Sequence, residues 1–326
     1  MSQTLAFFLP NFNERGVVRS TLDYAKMCEK HLGHRSIIVV PEEYTCHFSP
    51  TPSIMEKYAH KHFRVVHTPS QDSLDEVLTK EGADFLYIQK SGTKDGWCSQ
   101  RIPTGIHCVF QEGELHGTRF AAISEWLAQE LSAKFGTPIP YVSLPISGPR
   151  KSRIDLRRRF GIPNNAVVFG RYGGRSSFDL KFVHQTIDLV LHQKTTLHFL
   201  FMNTETFLEH PRIHYLPTTT NVQNKVDFIH ACDAMLHGRA RGESFGLSIA
   251  EFLYQGKPVL AWEGGMDKNH LHMLSDVGIL YREGTDLARK ILQFDPRWLD
   301  KKRYQNATLP YSEEVVIQQF QKVFLS

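Results

Sequence analysis

Gly242-Glu243-Ser244-Phe245-Gly246-Leu247-Ser248-Ile249-Ala250-Glu251 decides how this chain is read. Two glutamates stand eight positions apart, and a Phe-Gly-Leu turn between them opens an amphipathic helix that stops at Gly256 and runs into the apolar strand Pro258–Trp262. Ser244 is expected to cap that helix. The backbone N–H groups of Phe245, Gly246 and Leu247 are then expected to face outward at its positive end, where anions bind. Gly246 lets the backbone come close to a phosphate. Glu243 is expected in the loop ahead of the helix and Glu251 about two turns inside it. Carboxylates only accept hydrogen bonds and so grip paired hydroxyls such as those of a ribose or a hexose. The arrangement suits the holding of a sugar nucleotide. A bare Glu-x7-Glu spacing also occurs on capped surface helices, so the weight lies on the intact run and the Gly256-Lys-Pro-Val259 that follows it.

Outward from this stretch, short apolar runs alternate with helical patterns. In the N-terminal half, strands are predicted at 5–9, 36–40, 64–67, 84–88, 105–110 and 120–124, and helices at 17–31, 73–80 and 125–135. In the C-terminal half, strands are predicted at 166–170, 197–202, 213–216, 234–237 and 258–262, with helices at 182–192 and 225–231 and a last one within 312–325. Apolar runs separated by helices indicate parallel strands in a doubly wound sheet. Four prolines and Gly148 fall within 138–150, which reads as the interdomain linker. The predicted domains are 1–145 and 146–307, with 308–326 returning as a helix to the first.

Composition bounds the rest. A length of 326 residues suits two domains. The net charge of +4 calls for no nucleic-acid partner. Five widely spaced cysteines without a Cys-x-x-Cys argue for reduced thiols in a cytoplasmic setting. No apolar run reaches the ~20 residues of a membrane span, so peripheral membrane contact is the most that is expected. The basic run Arg150–Arg159 lacks interleaved aromatics and reads as a solvated linker face. Seventeen histidines do not fall into a metal-binding spacing.

The signature resembles that of the retaining glycosyltransferases of family 4, loosely over the whole chain and closely over Ala166–Trp262. The resemblance implies a GT-B fold, with two Rossmann-like doubly wound domains facing across a cleft. It implies transfer of a hexose-like sugar from a nucleoside-diphosphate donor to a hydroxyl of a glycan or glycoconjugate acceptor, with retention; with no Asp-x-Asp motif and no metal-binding histidine spacing, no metal or other cofactor is expected. By the same resemblance Glu243 contacts the donor sugar and Glu251 the ribose. Arg175 and Lys181, with Arg171 as rival for the first, neutralise the diphosphate, although the usual Lys-Gly is here Lys181-Phe182. His107, with His116 second, is expected near the anomeric carbon. The loop after the first strand carries Asn13, Arg15 and Gly16, and only one glycine where the family has several. Arg239 is expected near the phosphates or the acceptor, and Pro217 near the base. The Glu263-Gly-Gly265 turn and His270 are expected to border the same site. A sugar-nucleotide epimerase and a glycan-binding scaffold with a decayed site are the competing readings.

Overall fold

The structure is a computed structural model that describes residues 2–12, 16–42 and 53–326. The chain divides into two compact units, residues 1–145 with 311–326, and residues 146–310. Among the described residues no helix is long and apolar enough to cross a membrane.

The first unit carries β1 (Thr4–Phe8), β2 (Arg35–Pro41), β3 (Arg64–Thr68), β4 (Phe85–Lys90), β5 (Thr104–Cys108) and β6 (Arg119–Ala122). They form one parallel sheet in the order β3-β2-β1-β4-β5-β6. The central strands are apolar without alternation because helices cover both faces; Leu5, Ala6, Phe7, Ile37, Ile38, Val39 and Val40 are all fully buried. Helix Glu125–Phe135 shows how local chemistry sets the bounds. Ser124 Oγ accepts from Leu127 N–H, and Gly136 ends the helix at φ 65°.

Residues 311–326 complete this unit. Helix Glu313–Phe320 continues as a π-helical turn, Gln321–Leu325. Phe320 lies 5.1 Å from Tyr24 and 5.2 Å from Tyr87, ring centre to ring centre, and Phe324 lies 5.4 Å from Tyr87. Lys30 and Glu313 form an ion pair at 2.6 Å.

The second unit carries β7 (Val167–Tyr172), β8 (Leu197–Met202), β9 (Ile213–Leu216), β10 (Ala234–Leu236), β11 (Gly242–Glu243), β12 (Val259–Trp262), β13 (Asp267–Lys268) and β14 (Ile279–Tyr281). Its parallel sheet runs β14-β12-β10-β7-β8-β9, with β11 and β13 paired apart as a two-residue ladder. Counted from each unit's own first strand, both sheets have the order 3-2-1-4-5-6 of a dinucleotide-binding fold. In the second unit the winding reverses between β7 and β10, and ligands of such sheets bind beyond the carboxyl ends at that reversal.

Several elements were not expected from the sequence, three of them informative. Helix Ile54–His62 is polar around most of its surface and is held by its Ser53 cap. Strand β14 is only three residues long. Helix Gly284–Gln293 follows it and buries Leu287, Ala288 and Ile291.

Candidate functional site

The signature lies beyond the carboxyl end of β10, on one side of the winding reversal. Gly242 adopts φ 79°, and a Cβ there would stand 2.0 Å from the main-chain oxygen of Asp267. Only glycine lets β11 come this close to β13, where Gly242 pairs with Asp267 and Glu243 with Lys268. Asp267 is fully buried and takes a 2.7 Å bond from Arg241 Nε.

The expected cap is corrected by the structure. Helix Leu247–Tyr254 is capped by Gly246, at φ 97°, and not by Ser244. Ser244 and Phe245 turn inward and are buried, and Asn269 Nδ2 donates to Phe245 O at 2.7 Å. The first helical bond is Ala250 N–H to Gly246 O, so the amides of Leu247, Ser248 and Ile249 precede it. The leading amides of the helix therefore sit two residues later than the sequence implies.

Neither signature glutamate is a solvated surface carboxylate. Glu243 Oε2 accepts from Arg239 Nη1 at 2.9 Å and Oε1 from His237 Nε2 at 3.3 Å. Burial pushes its pKa up, but the His237 hydrogen bond and the charges around it outweigh that and hold it below the usual carboxylate value. Glu251 Oε1 accepts from Lys225 Nζ at 2.6 Å, and Oε2 accepts from the Tyr172 hydroxyl. Lys225 also lies over the Tyr172 ring at 5.6 Å. Tyr172 ends β7 and Lys225 lies on helix Val222–Ala231, so this cluster draws on three elements.

The loop after β7 separates the two rival arginines. Arg171 is buried, and its guanidinium donates to Asn203 O, Thr204 Oγ1, Gly174 O and Ser177 Oγ at 3.3, 2.7, 2.9 and 2.7 Å. Burial lowers its pKa to about 10, opposed by the charge of Glu243. Asn203, left-handed at φ 50°, donates its side chain to Gly173 O. Arg171 thus braces the loop, while Arg175 and Lys181 are exposed, Lys181 as the first residue of helix Lys181–Gln193. Arg171→Met should lower the unfolding free energy of this unit by about 1.5–3 kcal/mol. Arg171→Lys should recover only part, since an ammonium lacks the planar fork. Urea unfolding measures both, and an unchanged midpoint for the Met variant would refute the bracing role.

The other expected residues of this unit are more scattered. Pro217 is exposed just past β9, two strands from β7, and Tyr215 spends its hydroxyl on Leu208 O at 3.0 Å. Glu263 is paired with Arg282 at 2.7 Å. His270 is fully buried, with its ring 5.2 Å from that of His237.

In the first unit His107 does not have the expected role. It is fully buried. Its Nε2 faces the carbonyls of Ala122 and Val142 at 3.2 and 2.9 Å, and carbonyls only accept, so Nε2 carries the proton. Nδ1 then accepts from the Tyr87 hydroxyl at 2.6 Å. The ring ties β4, β5 and the segment after β6 together and offers a sugar no surface. His116 is half-buried, 2.6 Å from Glu114 O through Nδ1. Gly16 is exposed and opens helix Gly16–Leu32. Asn13 and Arg15 lie outside the described residues.

A pH dependence follows from His107. Burial pulls its pKa down to about 4. The unfolded chain takes up a proton near pH 6.5 and the folded one does not. This stability is therefore complete above about pH 6.5 and is lost as pH falls toward 4, at up to about 1.4 kcal/mol per pH unit. His107→Gln should show a correspondingly shallower loss in urea unfolding between pH 7 and 5. Parallel slopes for the two proteins would refute the assignment.

Sequence reasoning missed Tyr172, Lys225, His237, Asp267 and Asn269. His237 and Asp267 flank the signature in sequence; nothing local marks the others.

No protein-family model matches the chain, and no curated protein matches it significantly. Solved structures do. A glycosyltransferase from Rickettsia africae ESF-5 superposes with a TM-score of 0.74 at 14% identity, over 99% of this chain and 97% of that one. Anabaena Alr3699/HepE in complex with UDP-glucose gives 0.73 at 16% identity, over 98% of each. WaaG, a glycosyltransferase involved in lipopolysaccharide biosynthesis, gives 0.69 at 12% identity, over 98% of this chain and 99% of that one. Likeness at this identity establishes architecture: two parallel-sheet α/β domains of the GT-B fold.

Proposed function

We propose that this chain is a glycosyltransferase that takes a nucleoside-diphosphate sugar as donor and moves the sugar, with retention, to a hydroxyl of a glycan or glycoconjugate. The observation that carries the reading is the pair of held carboxylates on the signature. Glu243 is fixed by Arg239 and His237, and Glu251 by Lys225 and Tyr172. Each is acceptor-only, the chemistry that grips ligand hydroxyls. Two separately oriented carboxylates suit a ligand with two sets of hydroxyls, one on a hexose and one on a ribose.

The roles follow from charge. Glu243 takes hydroxyls of the sugar and Glu251 those of the ribose. Arg175 and Lys181, exposed on the loop and helix start beyond β7, face the diphosphate. The leaving diphosphate gains negative charge as the glycosidic bond breaks, so fixed cations stabilise the transition state more than the ground state. These cations supply the neutralisation that a metal provides elsewhere, so the reaction is expected to need none. The acceptor attacks the face from which the diphosphate departs, and a departing phosphate oxygen takes the acceptor's proton. His107 has no part in this chemistry.

The test is thermal unfolding with UDP, GDP, ADP, CDP or dTDP, each with and without magnesium. The UDP-glucose complex of the Anabaena protein makes uridine the first base to try. A ligand at 100 times its Kd adds about 2.7 kcal/mol of stability. One selective stabilisation without magnesium is the expected result. No shift with any of the five would overturn the reading in favour of a scaffold whose signature is inherited fold alone.

A further inference from the structure

We propose that His237 is the positioning residue for Glu243, and through it sets recognition of the donor's sugar but not of its nucleotide. The inference rests on the donor-site reading above.

His237 is the first residue past β10 and is held rigidly. Its N–H donates to Leu260 O at 2.8 Å, its carbonyl accepts from the Tyr281 hydroxyl, and it is 3% exposed. Its Nε2 faces Glu243 Oε1 at 3.3 Å. A carboxylate can only accept, so Nε2, and not Nδ1, supplies the hydrogen of this contact. That Nδ1 is buried and has no hydrogen-bond partner among the described residues. A residue needed only for packing is better served by an apolar side chain, because an unsatisfied buried nitrogen is unfavourable. The polar contact this ring makes is the one with Glu243, and the orphan nitrogen is what the fold tolerates to keep it. With Arg239 on Oε2, both carboxylate oxygens are fixed and their remaining lone pairs point in set directions.

Glu251 is held by Tyr172 and Lys225, and Glu243 by a different pair, His237 and Arg239. The two recognitions are therefore separable by mutation.

The experiment uses wild-type protein, His237→Leu and His237→Gln. Kd is measured by calorimetry for the diphosphate selected in the thermal panel and for its glucose ester. His237→Leu should bind the diphosphate within about twofold of wild type, while its Kd ratio of glucose ester to diphosphate rises about tenfold, the equivalent of one lost hydrogen bond to a charged group. His237→Gln, whose amide N–H stands where Nε2–H stood, should restore most of that ratio. The proposal is overturned if the Leu variant keeps the wild-type ratio, if Gln is no better than Leu, or if either variant loses both ligands equally, which marks a packing role. If wild-type protein binds none of the diphosphates, the donor reading itself fails and this inference falls with it; that result is in hand before a variant is made.

Discussion

Gly242→Ala should dismantle the site while leaving both sheets in place. The methyl group would stand 2.0 Å from Asp267 O and 3.1 Å from His270 Cε1. The nearer neighbour is main chain, so no side chain can swing aside. A non-glycine residue held at φ 79° adds roughly 1–3 kcal/mol of strain. The β11–β13 ladder must part, and with it the backbone that carries Glu243. For a unit of this size about 3 kcal/mol corresponds to a melting temperature about 6–12 °C lower, and the nucleotide-induced shift should vanish. Gly246→Ala is the control. Gly246 also has positive φ, at 97°, but its nearest outside atoms would lie 3.5 Å away, so it carries strain without a clash. Differential scanning calorimetry on the two variants decides the matter, and equal losses would show that close approach of β11 to β13 is not what requires the glycine.

The second large effect concerns chemistry. Glu243→Ala should leave the nucleoside diphosphate bound and reduce its release from the sugar nucleotide by at least about 100-fold, the scale for losing one positioned group at a reacting centre. The same change leaves Arg239 and His237 facing each other without the carboxylate between them. Glu243→Gln keeps the shape and one acceptor and should fall between the two. Turnover within threefold of wild type in the Ala variant would remove Glu243 from the mechanism.

Much of the fold was legible because parallel strands buried on both faces are written as apolar runs. Leu197–Met202 and Ile213–Leu216 have the bounds expected of them. The polar helix Ile54–His62 and the three-residue β14 carry no such signal, since cap and sheet context hold them more than hydrophobic periodicity does. At the site, local chemistry located the signature but not its conformation. Ser244 is a good capping residue by type, yet the left-handed turn at Gly246 moves the helix start past it. Nor could spacing separate Arg171 from Arg175. One lies within β7 and is drawn into four loop bonds, and the other lies beyond it in solvent. His107 misled for a related reason: a histidine in a strand next to the sheet edge can face either way, and here Tyr87 and two carbonyls claim it. Tyr172 and Lys225 lie 79 and 26 positions from Glu251, so only the folded chain introduces them.

The placement of residues 311–326 on the first unit has a consequence for biosynthesis. The ribosome delivers residues 146–310 as one uninterrupted piece, which can close its sheet as soon as it emerges. The first unit, although translated earlier, must wait with Phe7, Tyr24 and Tyr87 uncovered until Phe320 and Phe324 arrive. Released chains that end at residue 310 should therefore present a protease-resistant second half and a vulnerable first half, the reverse of the order in which they were made.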